Sequence, residues 1–287
     1  MKKAAVFNDL SGFGKCSLTA AIPVLSAQGV QCCPMASAVL TNQTGYEYHK
    51  CTDLTAMIKD YIDNWQKNNA HFDGIYSGFM TGSKQIELLM DFFGMYFDEE
   101  TQCCSWTPVM GDDGRTYGIY SAALLDGMKA LSRKADVITP NLTEACLLAD
   151  YDIEKVYSDT RKDVLLPLAT EISEKLRDLS GKNQDVIITG IKCRDDKSPF
   201  IYNLVTTANG TTTHRSHFFD VSFSGTGDLF ASVICGSRLN GFSTEEAAER
   251  AGKFLYDSIA DTMNDDTAPN DGVNFEKFFA GADVMFM

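Results

Sequence analysis

Ser224-Gly225-Thr226-Gly227-Asp228 runs directly into Leu229-Phe230-Ala231-Ser232-Val233-Ile234. The glycines at 225 and 227 allow a tight turn with exposed backbone N–H groups. The apolar run behind them predicts a helix from about Gly227 to Leu239. Unpaired N–H groups and the helix dipole together make such a start an anion site. Phosphoryl transfer needs a site of that kind, with a carboxylate such as Asp228 placed to take a proton from an attacking hydroxyl. The same residues also read as an ordinary glycine turn with Asp228 as a helix cap. They are not a Walker A loop, because no Lys-Ser or Lys-Thr follows the glycines.

Outward from this turn, short apolar runs alternate with longer amphipathic ones. Upstream, Asp185 to Thr189 is a continuous apolar strand of the kind buried on both faces. Phe200 to Thr207 and Thr211 to Phe219 flank Ala208-Asn209-Gly210, and Asn-Gly between β-rich runs signals a hairpin. Downstream, Asn240-Gly241 ends the first helix and Ser243-x-x-Glu246 is a capping box opening a second, Thr244 to Met263. Toward the N-terminus, strands are predicted at Ala4 to Phe7, Val30 to Leu40, Phe72 to Phe79, Gln102 to Val109 and Asp136 to Thr139. Helices are predicted between them at Leu18 to Gln28, Thr52 to Gln66, Ser83 to Tyr96 and Ser121 to Arg133. Two more follow, one beginning at Thr143 and one within Arg161 to Leu179 that Gly181 closes.

Repeated strand–helix alternation implies an α/β fold: a mostly parallel sheet with helices on both faces, made mixed by the late antiparallel hairpin. With no linker, repeat or low-complexity stretch, residues 1–287 read as a single domain. In open α/β sheets ligands bind beyond the C-terminal ends of the strands, and the motifs described next fall there.

The 287 residues are 44% hydrophobic and 22% charged, as expected of a chain with a packed core. A formal charge of -14 argues against nucleic acid and anionic membrane as partners. The nine cysteines include the adjacent pairs Cys32-Cys33 and Cys103-Cys104 but no C-x-x-C. They read as reduced thiols of a cytoplasmic protein. Met1 to Phe7 reaches the polar Asn8-Asp9 before a signal-peptide core develops, and no apolar run approaches the roughly 20 residues that span a bilayer.

Four ordered segments carry a resemblance. Gly225-Thr226-Gly227-Asp228 before an apolar helix resembles the signature of the ribokinase-like superfamily, in its vitamin-kinase branch. Thr41-Asn42-Gln43-Thr44-Gly45-Tyr46 resembles the Ser-Asn-His-Thr-Gly-Tyr of pyridoxal kinases. Ile138-Thr139-Pro140-Asn141-Leu142-Thr143-Glu144 resembles their Ile-Thr-Pro-Asn-x-x-Glu, and Pro108-Val109-Met110-Gly111-Asp112 the end of their Asp-Pro-Val-Met-Gly. On these motifs the chain is identified as a member of the pyridoxal (pyridoxine, pyridoxamine) kinase family, with hydroxymethylpyrimidine kinases as close kin.

The resemblance implies a ribokinase-like three-layer sandwich that transfers the γ-phosphoryl of ATP to the 5′-hydroxyl of a B6 vitamer. Asp228 would be the base, and Gly225, Thr226 and Gly227 the anion hole. Thr139, Asn141, Thr189 and Ser224 would line the nucleotide. Glu144 would organise Mg²⁺, with Asp112 as a further carboxylate, and a monovalent cation such as K⁺ is compatible. Asp9, Ser11, Thr44 and Phe79 would contact the vitamer, and a homodimer is the common assembly.

This sequence departs from the pattern at Thr107, where the family has Asp before Pro-Val-Met-Gly. Asp112 or Asp113, in a loop through Gly114, would then have to compensate. Asp9 falls where pyridoxal kinases have Ser and hydroxymethylpyrimidine kinases Asp, which keeps the latter activity as an alternative. A weakly active vitamin- or nucleotide-binding protein is the alternative that Thr107 raises. No catalytic role is assigned to Cys16, Cys193 or Cys235.

Overall fold

The computed structural model describes residues 1–98, 103–118, 121–194 and 200–279. Along the chain run β1 (Lys3–Ser11), α1 (Ser17–Ala27), β2 (Gln31–Leu40), β3 (Cys51–Asp53), α2 (Thr55–Lys67), β4 (Gly74–Ser77), α3 (Ser83–Tyr96) and β5 (Cys103–Trp106). There follow β6 (Gly111–Asp112), β7 (Arg115–Thr116), α4 (Ala122–Ser132), β8 (Val137–Ile138), α5 (Leu142–Ala149), α6 (Ile153–Tyr157) and α7 (Lys162–Ser180). The last elements are β9 (Asp185–Cys193), β10 (Phe200–Thr207), β11 (Gly210–His217), α8 (Thr226–Leu239) and α9 (Thr244–Thr262), then two 3₁₀ turns at Pro269–Asp271 and Glu276–Phe279. Gln102, where one predicted strand begins, lies outside the described residues.

One sheet has the order β11-β10-β9-β8-β5-β4-β1-β2-β3. Its six central strands, β9 through β2, are mutually parallel, while β10, β11 and β3 pair antiparallel at the two sides. The alternation of apolar runs therefore became a mixed, mostly parallel sheet, as predicted. The hairpin turns one residue earlier than the Asn-Gly signal suggests. Gly210 is already paired with Thr207, leaving Ala208-Asn209 as the turn.

Helices cover both faces. Ile58 and Ile62 of α2, Ile86 and Leu89 of α3, Leu124 and Met128 of α4, and Leu165 and Ala169 of α7 share one core with Phe7, Ile75 and Trp106 of the sheet. On the other face, α1, α8 and α9 pack against Ala4, Val6, Val137, Ile187 and Val205. Side chains that alternate along a strand thus feed two cores, which explains why the central strands read as unbroken apolar runs.

The capping box before α9 forms as predicted: Ser243 Oγ accepts from the Glu246 N–H at 3.2 Å, and Glu246 Oε2 accepts from the Ser243 N–H at 2.8 Å. The start of α2 differs from the sequence reading. Thr52 and Asp53 pair with β2 instead of opening the helix, and Asp53 Oδ1 accepts the Thr55 N–H at 2.8 Å. The short Asp side chain prefers to satisfy helix-start donors from outside the helix. Asp112 to Arg115 is also no open loop. Asp113 at φ 46° and Gly114 at φ 78° turn β6 into β7, with Asp112 paired to Arg115. Two positive φ values are what a two-residue hairpin requires, and Asp-Gly supplies them.

The placement of α8 depends on a close fit with α1. Gln28 just after α1 is buried, donates to the Ser232 carbonyl at 3.2 Å and accepts from Ser237 Oγ at 3.2 Å. A Cβ on Gly236 would come within 2.3 Å of the Gln28 amide. Gly236→Ala should therefore push Gln28 out of its bonds and cost about 1–3 kcal/mol. The expected result is a lower midpoint in urea with an unchanged slope.

Candidate active site

The parallel strands end together along one edge, and the site is built there. From β1 come Asn8, Asp9 and Ser11; from β4 and the turn after it, Gly78 and Phe79; from the loop before α8, Ser224 to Gly227. A register shift between Asn8 and Leu10 interrupts the β1–β2 pairing. Irregularities of this sort redirect side chains where strands leave a sheet. Asp9 is buried and accepts hydrogen bonds from Ser11 Oγ at 2.9 Å and from Ser17 Oγ. Burial holds its carboxyl above the usual carboxylate range against those hydroxyls.

Gly225 is the N-cap of α8 at φ 78°. A Cβ there would lie 1.8 Å from the Lys15 carbonyl oxygen. No side chain fits in that space, and the positive φ also favours glycine. Gly227 has open space around its Cα, so it leaves room at the helix start. Ser224 donates its N–H to the Pro269 carbonyl at 3.0 Å, and Thr226 Oγ1 donates to the Phe223 carbonyl at 3.2 Å. Asp228 follows in the first turn, partly buried, and accepts from Asn8 Nδ2 at 3.2 Å. Burial raises its carboxyl to about 6, helped by the nearby Asp9 charge and opposed by the Ser17 N–H and the Asn8 amide.

The second group lies at the ends of β8 and β9. Asn141 and Glu144 form a reciprocal cap of α5. Asn141 Oδ1 accepts the Glu144 N–H at 3.0 Å, and Glu144 Oε2 accepts the Asn141 N–H at 2.9 Å. Glu144 Oε1 accepts the Met110 N–H at 2.9 Å, and Asn141 Nδ2 donates to the Gly111 carbonyl at 2.7 Å. The Asn-x-x-Glu element thus ties the Met110-Gly111 segment to the start of α5. Burial pushes Glu144 up to about 8, with backbone N–H groups pulling down and Asp112 pushing further up. Asp112 is raised by burial and by Asp113, whereas Asp113 pairs with Lys192 Nζ at 2.7 Å. Asp112, not Asp113, is therefore the carboxylate that faces Glu144 electrostatically.

Thr139 is buried with its hydroxyl unpartnered, and Thr189 bridges to Asn141. Thr107 is buried and donates its N–H to the Ser77 carbonyl at 3.0 Å. Thr44 is exposed in a segment anchored by its neighbours: Gln43 bonds to Asn270, and Tyr46 Oη donates to Asp271. The Tyr117 phenol is pushed up to about 12 by partial burial, and the charges of Asp112, Glu144, Asp228 and Asp113 add to that.

Sequence reading missed Asn8, Ser17, Tyr117 and the Pro269–Asp271 segment. Asn8 stood beside Asp9 with no motif of its own. The other three reach the site only through folding. Cys16 caps α1 near both carboxylates, and burial with those charges pushes its thiol up to about 12, the protonated form. Cys193 and Cys235 are buried in two different cores.

A glycine turn at the strand ends, a carboxylate in the first turn of the helix behind it and a mixed nine-stranded sheet go with the family match to mark an ATP-dependent kinase of the ribokinase-like fold. The chain belongs to the phosphomethylpyrimidine kinase family, whose family model matches residues 14–271. A solved chain from Bacteroides thetaiotaomicron, provisionally described as a phosphomethylpyrimidine kinase and crystallised with pyridoxal, is 33% identical. It superposes with a TM-score of 0.89 over 99% of this chain and 96% of its own. The Saccharomyces cerevisiae protein BUD16, provisionally named a pyridoxal kinase, is 28% identical over 220 residues, which is 71% of this chain and 64% of the yeast protein. Several bacterial relatives are named pyridoxal kinases. A Leishmania donovani pyridoxal kinase solved with ADP and pyridoxamine shares the fold at a TM-score of 0.84 and 18% identity, covering 99% of this chain and 97% of its own.

Two outcomes follow from the geometry. Gly225→Ala forces backbone against backbone, so a loss of more than about 3 kcal/mol in chemical denaturation is expected, together with loss of phosphoryl transfer. Asp228→Asn should stabilise the fold. The wild-type carboxyl is raised on folding, so its burial costs nothing below the unfolded value and costs most above about 6. The variant's gain should grow to about 1–3 kcal/mol as melting is moved from about pH 4 to about pH 8.

Proposed function

We propose that this chain is a B6-vitamer kinase, one domain in extent, that transfers the γ-phosphoryl of ATP to the 5′-hydroxyl of pyridoxal, pyridoxamine or pyridoxine. The observation that carries this reading is Asp228 in the first turn of α8, behind a glycine turn with open space at Gly227 and near the hydrogen-bonded Asp9–Ser11 pair. The pyridoxal bound to the Bacteroides relative and the ADP bound to the Leishmania kinase support the two ligands.

In this mechanism Asp228 accepts the proton of the vitamer hydroxyl as its oxygen attacks the γ-phosphorus, and ADP leaves. The N–H groups of Gly225, Thr226 and Gly227 take up the charge on the moving phosphoryl group. Thr139, Thr189, Asn141 and Ser224 line the nucleotide, and the unpartnered Thr139 hydroxyl is available to a phosphate. Phe79 and Thr44 complete the vitamer side. Among the described residues no three carboxylates, histidines or cysteines gather to hold a metal alone. That fits Mg²⁺, which keeps water and takes phosphate oxygens with one or two carboxylates. Asp112 would supply a carboxylate directly, with Glu144 supporting it from behind, and the ion would neutralise phosphate charge. With both Glu144 oxygens taking backbone N–H bonds, its part is to hold the Met110-Gly111 segment in place for Asp112.

A second reading, hydroxymethylpyrimidine kinase, is favoured by Asp9 and by the description of the matching family. Turnover of pyridoxal, pyridoxamine and hydroxymethylpyrimidine with ATP and Mg²⁺ separates the two. The B6 reading expects the pyridines to have the higher kcat/KM, and preference for the pyrimidine overturns it. Because the base must be ionised, kcat/KM should fall tenfold per unit of pH below about 6. Asp228→Asn should lose about 10²–10⁴-fold in rate.

A further inference from the structure

Asn8 is wholly buried near the end of β1. Strand alternation places it on the face of Ala4 and Val6, which pack toward α1 and α8. Its amide is engaged from three directions. Oδ1 accepts the Asp9 N–H at 3.0 Å and the Phe79 N–H at 2.8 Å, and Nδ2 donates to Asp228 Oδ1 at 3.2 Å. Two backbone donors at the oxygen decide which end of the amide is which, so the NH₂ end meets the carboxylate. The site is also cut to fit this side chain: a Cβ at Gly78 would lie 2.5 Å from Asn8 Nδ2.

We infer that Asn8 is a positioning residue for Asp228: it holds the base by one carboxylate oxygen and ties it to the backbone of Phe79 on the vitamer side. The inference rests on the reading of Asp228 as the base. A purely structural Asn8 would only satisfy the turn after β4. A positioning Asn8 also stabilises the ionised form of Asp228, because an amide donor favours a charged acceptor.

The groups facing Asp228 make that effect readable. Asp9 from β1 opposes its ionisation, and the Ser17 N–H at the start of α1 favours it. Cys16 before α1, Tyr76 from β4 and Tyr117 after β7 are all held in their neutral forms well above neutral pH. Asp9 is therefore the neighbour that opposes ionisation of Asp228, and removal of the Asn8 amide leaves that opposition less balanced.

The test is the pH profile of kcat/KM with ATP, Mg²⁺ and pyridoxal for Asn8→Ala, Asn8→Asp and Gly78→Ala. Loss or displacement of the amide should move the acid limb up by about one pH unit, and Asn8→Asp, which adds a carboxylate, should move it at least as far. The plateau kcat should fall roughly tenfold while the KM for ATP stays put. Gly78→Ala keeps the amide but shifts it, so it carries the test if Asn8→Ala does not fold. Variants that melt cooperatively with an unmoved acid limb overturn the inference. Asp228→Asn, measured alongside, separates the two claims. If it is active the base reading itself fails; if it is inactive while the limb of the Asn8 variants is unmoved, only the role of Asn8 fails.

Discussion

The site depends on one backbone approach. Residue 225 sits so close to the Lys15 carbonyl that no Cβ is possible, and this contact seats the start of α8 against the β1–α1 loop. The same loop bonds through the Lys15 N–H to the Asp271 carbonyl, and the turn bonds through the Ser224 N–H to that of Pro269. Asn270 and Asp271 in turn hold Gln43, Gly45 and Tyr46. One 3₁₀ turn near the end of the described chain thus joins the glycine turn before α8 to the Gln43–Tyr46 segment. Lys15 and Asp271, more than two hundred positions apart, meet through a main-chain bond that requires no particular side chain, whereas Gln43, Tyr46 and Asn270 each contribute a side chain.

Electrostatics follow from that packing. Asp9, Asp228, Asp112 and Glu144 are all held above their usual range, in each case chiefly by burial. Such a collection is costly for an empty protein and useful for one that binds phosphate, a metal ion and a hydroxyl awaiting deprotonation. It also gives Thr107 a physical context. The strand end that lacks the expected carboxylate is buried and bonded to β4, and Asp112 lies in a hairpin fastened to α5 through Gly114 and Thr143. Asp112 is thus the hairpin carboxylate whose charge reaches Glu144.

Much of this was legible in the chain itself. The alternation of apolar and amphipathic runs determined the three layers, because burial on both faces demands strands without polar interruptions. Ser243 with Glu246, Gly181 and the Asn-Gly turn marked element ends through local bonding alone. Gly225-Thr226-Gly227-Asp228 and Asn141-x-x-Glu144 are local motifs as well, since a helix start and its cap lie within four residues of each other. The sequence by itself thus determined the fold class, the turn and its carboxylate. Tertiary structure decided what surrounds them. That Asn8 meets Asp228 and that Pro269–Asp271 braces the turn are contacts between distant segments. No periodicity or spacing records them, because they exist only once the sheet has brought its strand ends to one edge.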